Sequence, residues 1–298
     1  MSQKSKKINF ILIGAQKSGT TYLHKLMMSH PEIEMPNEEI PYFQYPDFEA
    51  IDNIEFSLAQ LFKTRKIKGI KRPNYIGQEE SPILIEEYGK GEIKLIAVLR
   101  DPVERFISAF FHIVKHSWLT PFFINLKIKN IINGKRGKPV LLNLIEYGMY
   151  SKYLDKYQKT IKKENLFVLD YNFLTSNPQS AFNYVCDFLE IKRFELDSKT
   201  LQEPSNVGSK SFIDLLHGHL KSRLMFRFDR KIQRLYIKDS HTKLNKFLRK
   251  LVDKIYFEIS KFEKLKNNIQ IKDENKQRLR ELYSEDQKKL KKFKVVRE

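Results

Sequence analysis

Lys7-Ile8-Asn9-Phe10-Ile11-Leu12-Ile13-Gly14-Ala15-Gln16-Lys17-Ser18-Gly19-Thr20-Thr21-Tyr22-Leu23 is the stretch from which the fold can be read. Ile8 to Ile13 is almost continuously apolar, as a strand covered on both faces must be. Small and hydroxyl residues follow directly, and then Leu23, Leu26 and Met27 recur at helical spacing. The helix should stop near His30, because Pro31 disfavours helical backbone in the residue before it. A buried strand, a tight turn and a helix N-terminus together aim backbone N–H groups at one point, where an anion is held.

The same alternation recurs downstream. Ile93 to Leu99 and Leu166 to Leu169 read as two further buried strands. After the first, Asp101, Pro102 and Glu104 suit the cap, first and third positions of a helix. Val103, Ile107, Phe110 and Val114 then form an apolar stripe that should pack on a sheet. Further helices are expected over Tyr147 to Lys159 and Ala181 to Leu189, the latter after Pro178. The pattern predicts a three-layer α/β/α domain with a central, mostly parallel sheet. Residues 212–262, basic and aromatic, read as helical, and 133–139 as an exposed turn.

With 298 residues, of which 41% are hydrophobic, the chain can bury a large core and is not disordered. Its single cysteine, Cys186, excludes an internal disulfide framework and predicts a reducing compartment, the cytoplasm. Lys4, Lys6 and Lys7 ahead of an apolar run imitate a signal peptide, but no cleavage pattern of small residues follows and the strand reading is preferred. No apolar stretch approaches the ~20 residues of a spanning helix.

The formal charge is +19, and 26 of the 55 basic residues lie in 209–298 against 12 of the 36 acidic ones. Such a tail attracts polyanions: nucleic acid, acidic glycans or an anionic membrane surface. Arg223, Arg227, Arg230, Lys231 and Arg234 alternate there with Leu224, Phe226, Phe228 and Leu235, a pattern that fits an acceptor-side or membrane-facing patch and equally a solvated helix face.

The glycine spacing of Gly14 and Gly19 matches a nucleoside-triphosphate loop, but Thr20 holds the usual lysine position and the lysine has moved to Lys17. The second strand ends in Arg100, where a triphosphate site would want an acid to help hold Mg²⁺. Both departures favour a nucleotide without a γ-phosphate or metal, and they weaken a kinase or NTPase reading.

Gln16-Lys17-Ser18-Gly19-Thr20-Thr21 resembles the 5′-phosphosulfate loop of sulfotransferases that use 3′-phosphoadenylyl sulfate, and Leu99-Arg100-Asp101-Pro102-Val103-Glu104-Arg105-Phe106-Ile107-Ser108-Ala109 resembles their 3′-phosphate motif. His30-Pro31 followed by Glu38-Glu39-Ile40-Pro41-Tyr42-Phe43 is similar to the segment that carries the acceptor-activating glutamate in the heparan-sulfate-type branch. Gln78-Glu79-Glu80-Ser81-Pro82 resembles a family segment in which a basic residue often stands at the position of Glu80. Tyr147 to Leu154 and Leu279 to Leu290 are family-like as well, so the resemblance covers the chain as one domain, 1–298, with 209–270 least constrained.

The resemblance implies a P-loop-type fold and sulfuryl transfer from 3′-phosphoadenylyl sulfate to a hydroxyl or amine of an acceptor, a carbohydrate by the branch resembled, leaving adenosine 3′,5′-bisphosphate without need of a metal. It gives Lys17 the leaving-group charge, Gln16, Ser18, Gly19, Thr20 and Thr21 the 5′-phosphate, Arg100 and Ser108 the 3′-phosphate, Glu39 the acceptor proton, and Lys210 closure over the nucleotide. His24, His112 and His116 are competing bases. A non-enzymatic nucleic-acid or membrane-surface binder is the alternative of a different class.

Overall fold

The structure, a computed structural model, describes residues 7–51, 53–63, 67–135, 139–201, 211–229, 234–237, 243–261 and 268–297. The chain forms two compact units, one of residues 1–102, 149–205 and 283–298, the other of 103–148 and 206–282.

In the first unit β1 (Phe10–Gly14) leads through a loop into α1 (Thr20–Ser29), and β2 (Ile33–Glu34), α2 (Ile54–Ala59), β3 (Ile67–Lys71), α3 (Ser81–Gly89) and β4 (Lys94–Leu99) follow. α4 (Pro102–Lys115), α5 (Ile124–Ile132) and α6 (Pro139–Glu146) belong to the second unit apart from Pro102. The chain then returns with α7 (Tyr150–Thr160), β5 (Leu166–Asp170), α8 (Tyr171–Ser176), α9 (Pro178–Leu189) and α10 (Ser198–Leu201). The strands expected from the apolar runs are present within two residues of their expected ends, and α1 stops at Ser29 before the extended His30.

Every strand pair of the first unit's sheet is parallel, in the order β2-β3-β1-β4-β5-β8, with β8 (Val295–Val296) added from the end of the chain. Alternate strand residues feed two separate cores. Ile11, Ile13, Leu95 and Ala97 join Ile85 of α3 and Leu154 and Tyr157 of α7 on one face. Phe10, Leu12, Ile96 and Val98 join Leu23 and Leu26 of α1 and Phe182 and Val185 of α9 on the other. This is the expected α/β/α layering, and it explains why the strands read as unbroken apolar runs. The chain runs from β1 outward to β2 and β3, then crosses back to β4 and β5 on the other side. The strand order therefore reverses at β1, and in open α/β sheets ligands bind at the carboxyl ends of the strands at such a point.

In the second unit the predicted stripe Val103, Ile107, Phe110 and Val114 is buried along α4. Arg105 is fully buried too, its Nη2 donating to the Leu144 carbonyl. The basic region departs from the helical expectation. α11 (Phe212–Met225) and α12 (Lys243–Ile259) are helices, but Phe226–Asp229 (β6) and Arg234–Ile237 (β7) pair antiparallel between them, with Phe228 opposite Leu235. Alternation of basic with apolar residues has the period of a strand, and pairing overrides any helical bias in so short a run. α13 (Asp273–Leu290) begins in this unit, where Asn125 receives the Lys272 N–H at 2.9 Å and donates to the Gln270 carbonyl at 3.0 Å. Of the exposed turn, 136–138 lie outside the described residues, and Pro139 already starts α6. No described helix is long and apolar enough to cross a membrane.

Candidate functional site

The loop after β1 lies at the carboxyl end of the strands where the strand order reverses. Ala15 N–H donates to the Val98 carbonyl at 2.8 Å, fastening the loop to β4, and Ser18 N–H closes a turn onto the Ala15 carbonyl at 3.2 Å. Lys17 sits at φ +65°, a left-handed conformation that non-glycine residues adopt at some energetic cost and that recurs at ligand sites. Gly19, the residue before α1, has φ +84°, and a Cβ there would lie 3.0 Å from the Tyr171 ring. Glycine is required on both counts. The Ser18 hydroxyl is fully buried and has no hydrogen-bond partner among the described residues, so a phosphate oxygen would satisfy it. With the N-terminus of α1 behind it, the loop fits an anionic group.

Arg100 leaves the end of β4 with its guanidinium 4.7 Å from the centre of the Tyr171 ring. Tyr171 thus touches both the space at Gly19 and the arginine, and sequence reading missed it. Its place directly after the apolar run of β5 is the signal that could have found it. A cavity of about 580 Å³ borders Arg100, lined also by Asp101, Asp170, Asn172, Gln287 and Arg297. Ser108 is half-buried on α4 in the second unit, and Lys210 lies outside the described residues.

Glu39 stands on the segment that runs back along the end of β3. Ile40 N–H donates to the Lys71 carbonyl at 3.0 Å, and the Tyr75 hydroxyl donates to the Ile40 carbonyl at 2.5 Å. Arg72 Nη1 reaches Glu39 Oε2 at 3.1 Å while its Nε holds Gln44 Oε1 at 3.0 Å, so one guanidinium fixes the carboxylate and its loop together. Arg72 N–H donates to the Leu12 carbonyl, and Asn74 accepts from Gln16 Nε2 at 3.3 Å. These bonds join the glutamate segment to the phosphate loop.

Lys71, the last residue of β3, is buried; burial lowers its pKa, and the Glu39 charge opposes that shift. His24 is buried as well, and desolvation together with the Lys71 charge pushes its imidazole down to about 4. Its Nε2–H donates to the Pro36 carbonyl at 2.9 Å, so it is neutral and braces the loop ahead of Glu39, a poor rival as base. The His112 and His116 rings, at the end of α4 in the second unit, lie 4.3 Å apart at a tilt of 53°. Lys71 and Arg72 were not expected from sequence; the clue was a basic pair closing a strand just ahead of Pro73. Glu80 accepts the Tyr45 N–H at 3.2 Å and so serves the loop between Glu39 and α3.

A sequence profile described as "Sulfotransferase domain" matches residues 7–267, which include parts of both units. Heparan sulfate glucosamine 3-O-sulfotransferase 3B1 of Mus musculus is 27% identical over 187 residues, covering 63% of this chain and 47% of that protein. Bifunctional heparan sulfate N-deacetylase/N-sulfotransferase 2 of the same species is 26% identical over 215 residues, covering 67% and 24%. The chain therefore spans about half the length of the first relative and a quarter of the second. The crystal structure of a sulfotransferase from Alicyclobacillus acidocaldarius superimposes with a TM-score of 0.57 at 19% identity, covering 72% of this chain and 94% of that one, a likeness of fold.

Proposed function

Because the chain belongs to the sulfotransferase family, we propose that it moves a sulfuryl group from 3′-phosphoadenylyl sulfate to a hydroxyl or amine of a carbohydrate. The observation that supports this reading is the end of β3, where Arg72 bonds Glu39, the Lys71 charge feels it, and Asn74 ties the same segment to Gln16 of the phosphate loop. The carbohydrate acceptor is drawn from the two heparan sulfate enzymes among the relatives. Residues 1–298 form one sulfotransferase domain in this proposal.

The donor supplies an activated sulfuryl group on a phosphate leaving group. Glu39 takes the acceptor proton as the acceptor oxygen or nitrogen bonds to sulfur, and Arg72 keeps the carboxylate turned to that task. The sulfur–oxygen bond to the 5′-phosphate breaks, its electron pair stays on the phosphate, and Lys17 neutralises that growing charge. Lys71 adds a second, desolvated cation near Glu39, where charge is worth more than in water. Gln16, Ser18, Gly19, Thr20 and Thr21 hold the 5′-phosphate through loop N–H groups and hydroxyls. Arg100 holds the 3′-phosphate, an arginine fork matching phosphate geometry, and the parts given to Ser108 and Lys210 rest on the sequence resemblance alone. Cys186, its thiol pushed up to about 11 chiefly by burial, takes no part.

Incubation with sulfur-labelled donor and a panel of glycan, lipid and small-molecule acceptors tests the reading. Label should appear on a glycan, and adenosine 3′,5′-bisphosphate should stabilise the protein without metal, by about 2.7 kcal/mol at a hundred times its Kd. Stabilisation by ATP with Mg²⁺ alone would point instead to a kinase or NTPase. Response to neither nucleotide would abandon the enzyme reading.

A further inference from the structure

α12 carries a ridge of large apolar side chains on its exposed side, where a helix on a water-soluble unit ordinarily shows polar ones. Its inner side is tied to α11 by polar contacts. Asp253 accepts from His217 Nε2 at 2.7 Å and from Lys221 at 2.9 Å, the Tyr256 hydroxyl donates to Asp214 at 2.6 Å, and the His217 and Tyr256 rings stack at 4.0 Å. The outer side is where the large apolar groups stand. Phe247 (63% exposed), Leu251, Ile255 (49%) and Ile259 follow one another at intervals of four residues and so line a single ridge. Lys246, Lys250 and Lys254, all exposed, make the adjacent ridge. Lys261 lies 4.9 Å over the ring of the exposed Phe257 and pairs with Glu258 at 2.8 Å.

Between residues 243 and 261 there are six basic and two acidic residues. Both acids are engaged, Asp253 against α11 and Glu258 by Lys261, which leaves the outer ridges apolar and cationic. We propose that the outer face of α12 docks on an anionic membrane surface, with Phe247, Leu251 and Ile255 entering the headgroup boundary and the lysine ridge meeting acidic phosphates. Charge complementarity selects this occupant. A second copy packed antiparallel across a two-fold axis would bring lysine ridge against lysine ridge, and an acidic glycan would leave the Phe, Leu and Ile side chains in water.

The test is co-sedimentation of the full chain with phosphatidylcholine vesicles, with or without phosphatidylserine. Binding should need phosphatidylserine and fall as salt is raised. Leu251→Glu and Ile255→Glu should each lower the partition coefficient about tenfold or more, since each removes an apolar group and adds a repelled charge. Lys246→Gln, Lys250→Gln and Lys254→Gln together should abolish the preference for the acidic lipid. All these positions are exposed, and each variant should keep the parent circular dichroism spectrum and melting temperature. Equal binding to both vesicle types, no binding at low salt, or unchanged binding by Leu251→Glu overturns the proposal. So does a dimer in sedimentation equilibrium that Leu251→Glu dissolves, which would assign the face to a second copy.

Discussion

Glu39 is a carboxylate that its surroundings convert from a loop charge into a directed group. Its side chain is 40% exposed, and its bond to Arg72 contributes at most about 1 kcal/mol to stability at such a site. The bond fixes direction instead. Glu39→Gln should leave affinity for adenosine 3′,5′-bisphosphate unchanged and lower turnover by roughly 10² to 10⁴; near-normal turnover removes Glu39 from the reaction. His24 gives a second prediction. Its native pKa, about 4, lies below the ordinary 6.5, so the unfolded chain takes up a proton that the folded one refuses. Stability should decline as pH falls from about 6.5 towards 4, by on the order of 3 kcal/mol. His24→Gln, which can still donate to the Pro36 carbonyl, should flatten that decline when urea midpoints are compared at neutral and acid pH. Parallel curves for parent and variant would refute the assignment. At this scale the sequence was only partly legible. Lys17 and Arg100 could be read because they follow apolar strands directly. Lys71, Arg72 and Tyr171 matter because distant segments meet them, and Ile67–Lys71 is too basic and glycine-broken to read as a buried strand.

Among the elements, α7 shows how a helix start can be completed from far along the chain. Met149 before it offers no capping side chain, and Asp286 of α13 does the work. Its carboxylate accepts the Ser151 N–H and the Lys152 N–H, both at 3.1 Å, and the Ser151 hydroxyl at 2.6 Å. Asp286→Ala would orphan all three donors in a buried place and should cost about 2–3 kcal/mol by chemical denaturation. A loss under 0.5 kcal/mol would mean that water caps α7 instead. No local signal near Tyr150 announces this cap, because the partner stands 135 residues away. The central strands and α1 were legible, by contrast, since burial on both faces writes itself into consecutive residues. β2 and β8, two residues each, are too short to carry any period, and the β6–β7 pair was hidden inside a run whose basic residues suggested a helix.

On the scale of the whole molecule, the charge excess read from composition belongs mainly to residues 209–298, and the sheet with its phosphate loop belongs to the first unit. Composition located the basic excess but could not say that α12 would present its apolar ridge outward, which depends on Asp253 and Tyr256 being drawn to α11. The first unit is assembled from three separate stretches, the last of them 283–298. β8 in that stretch lies beside β5, pairing Val295 with Val168 and Val296 with Leu169. During synthesis, then, the flank of β5 waits uncovered until the segment carrying Val295 and Val296 has emerged, and a nascent chain stalled in the basic region would present a naked sheet border for chaperones to shield.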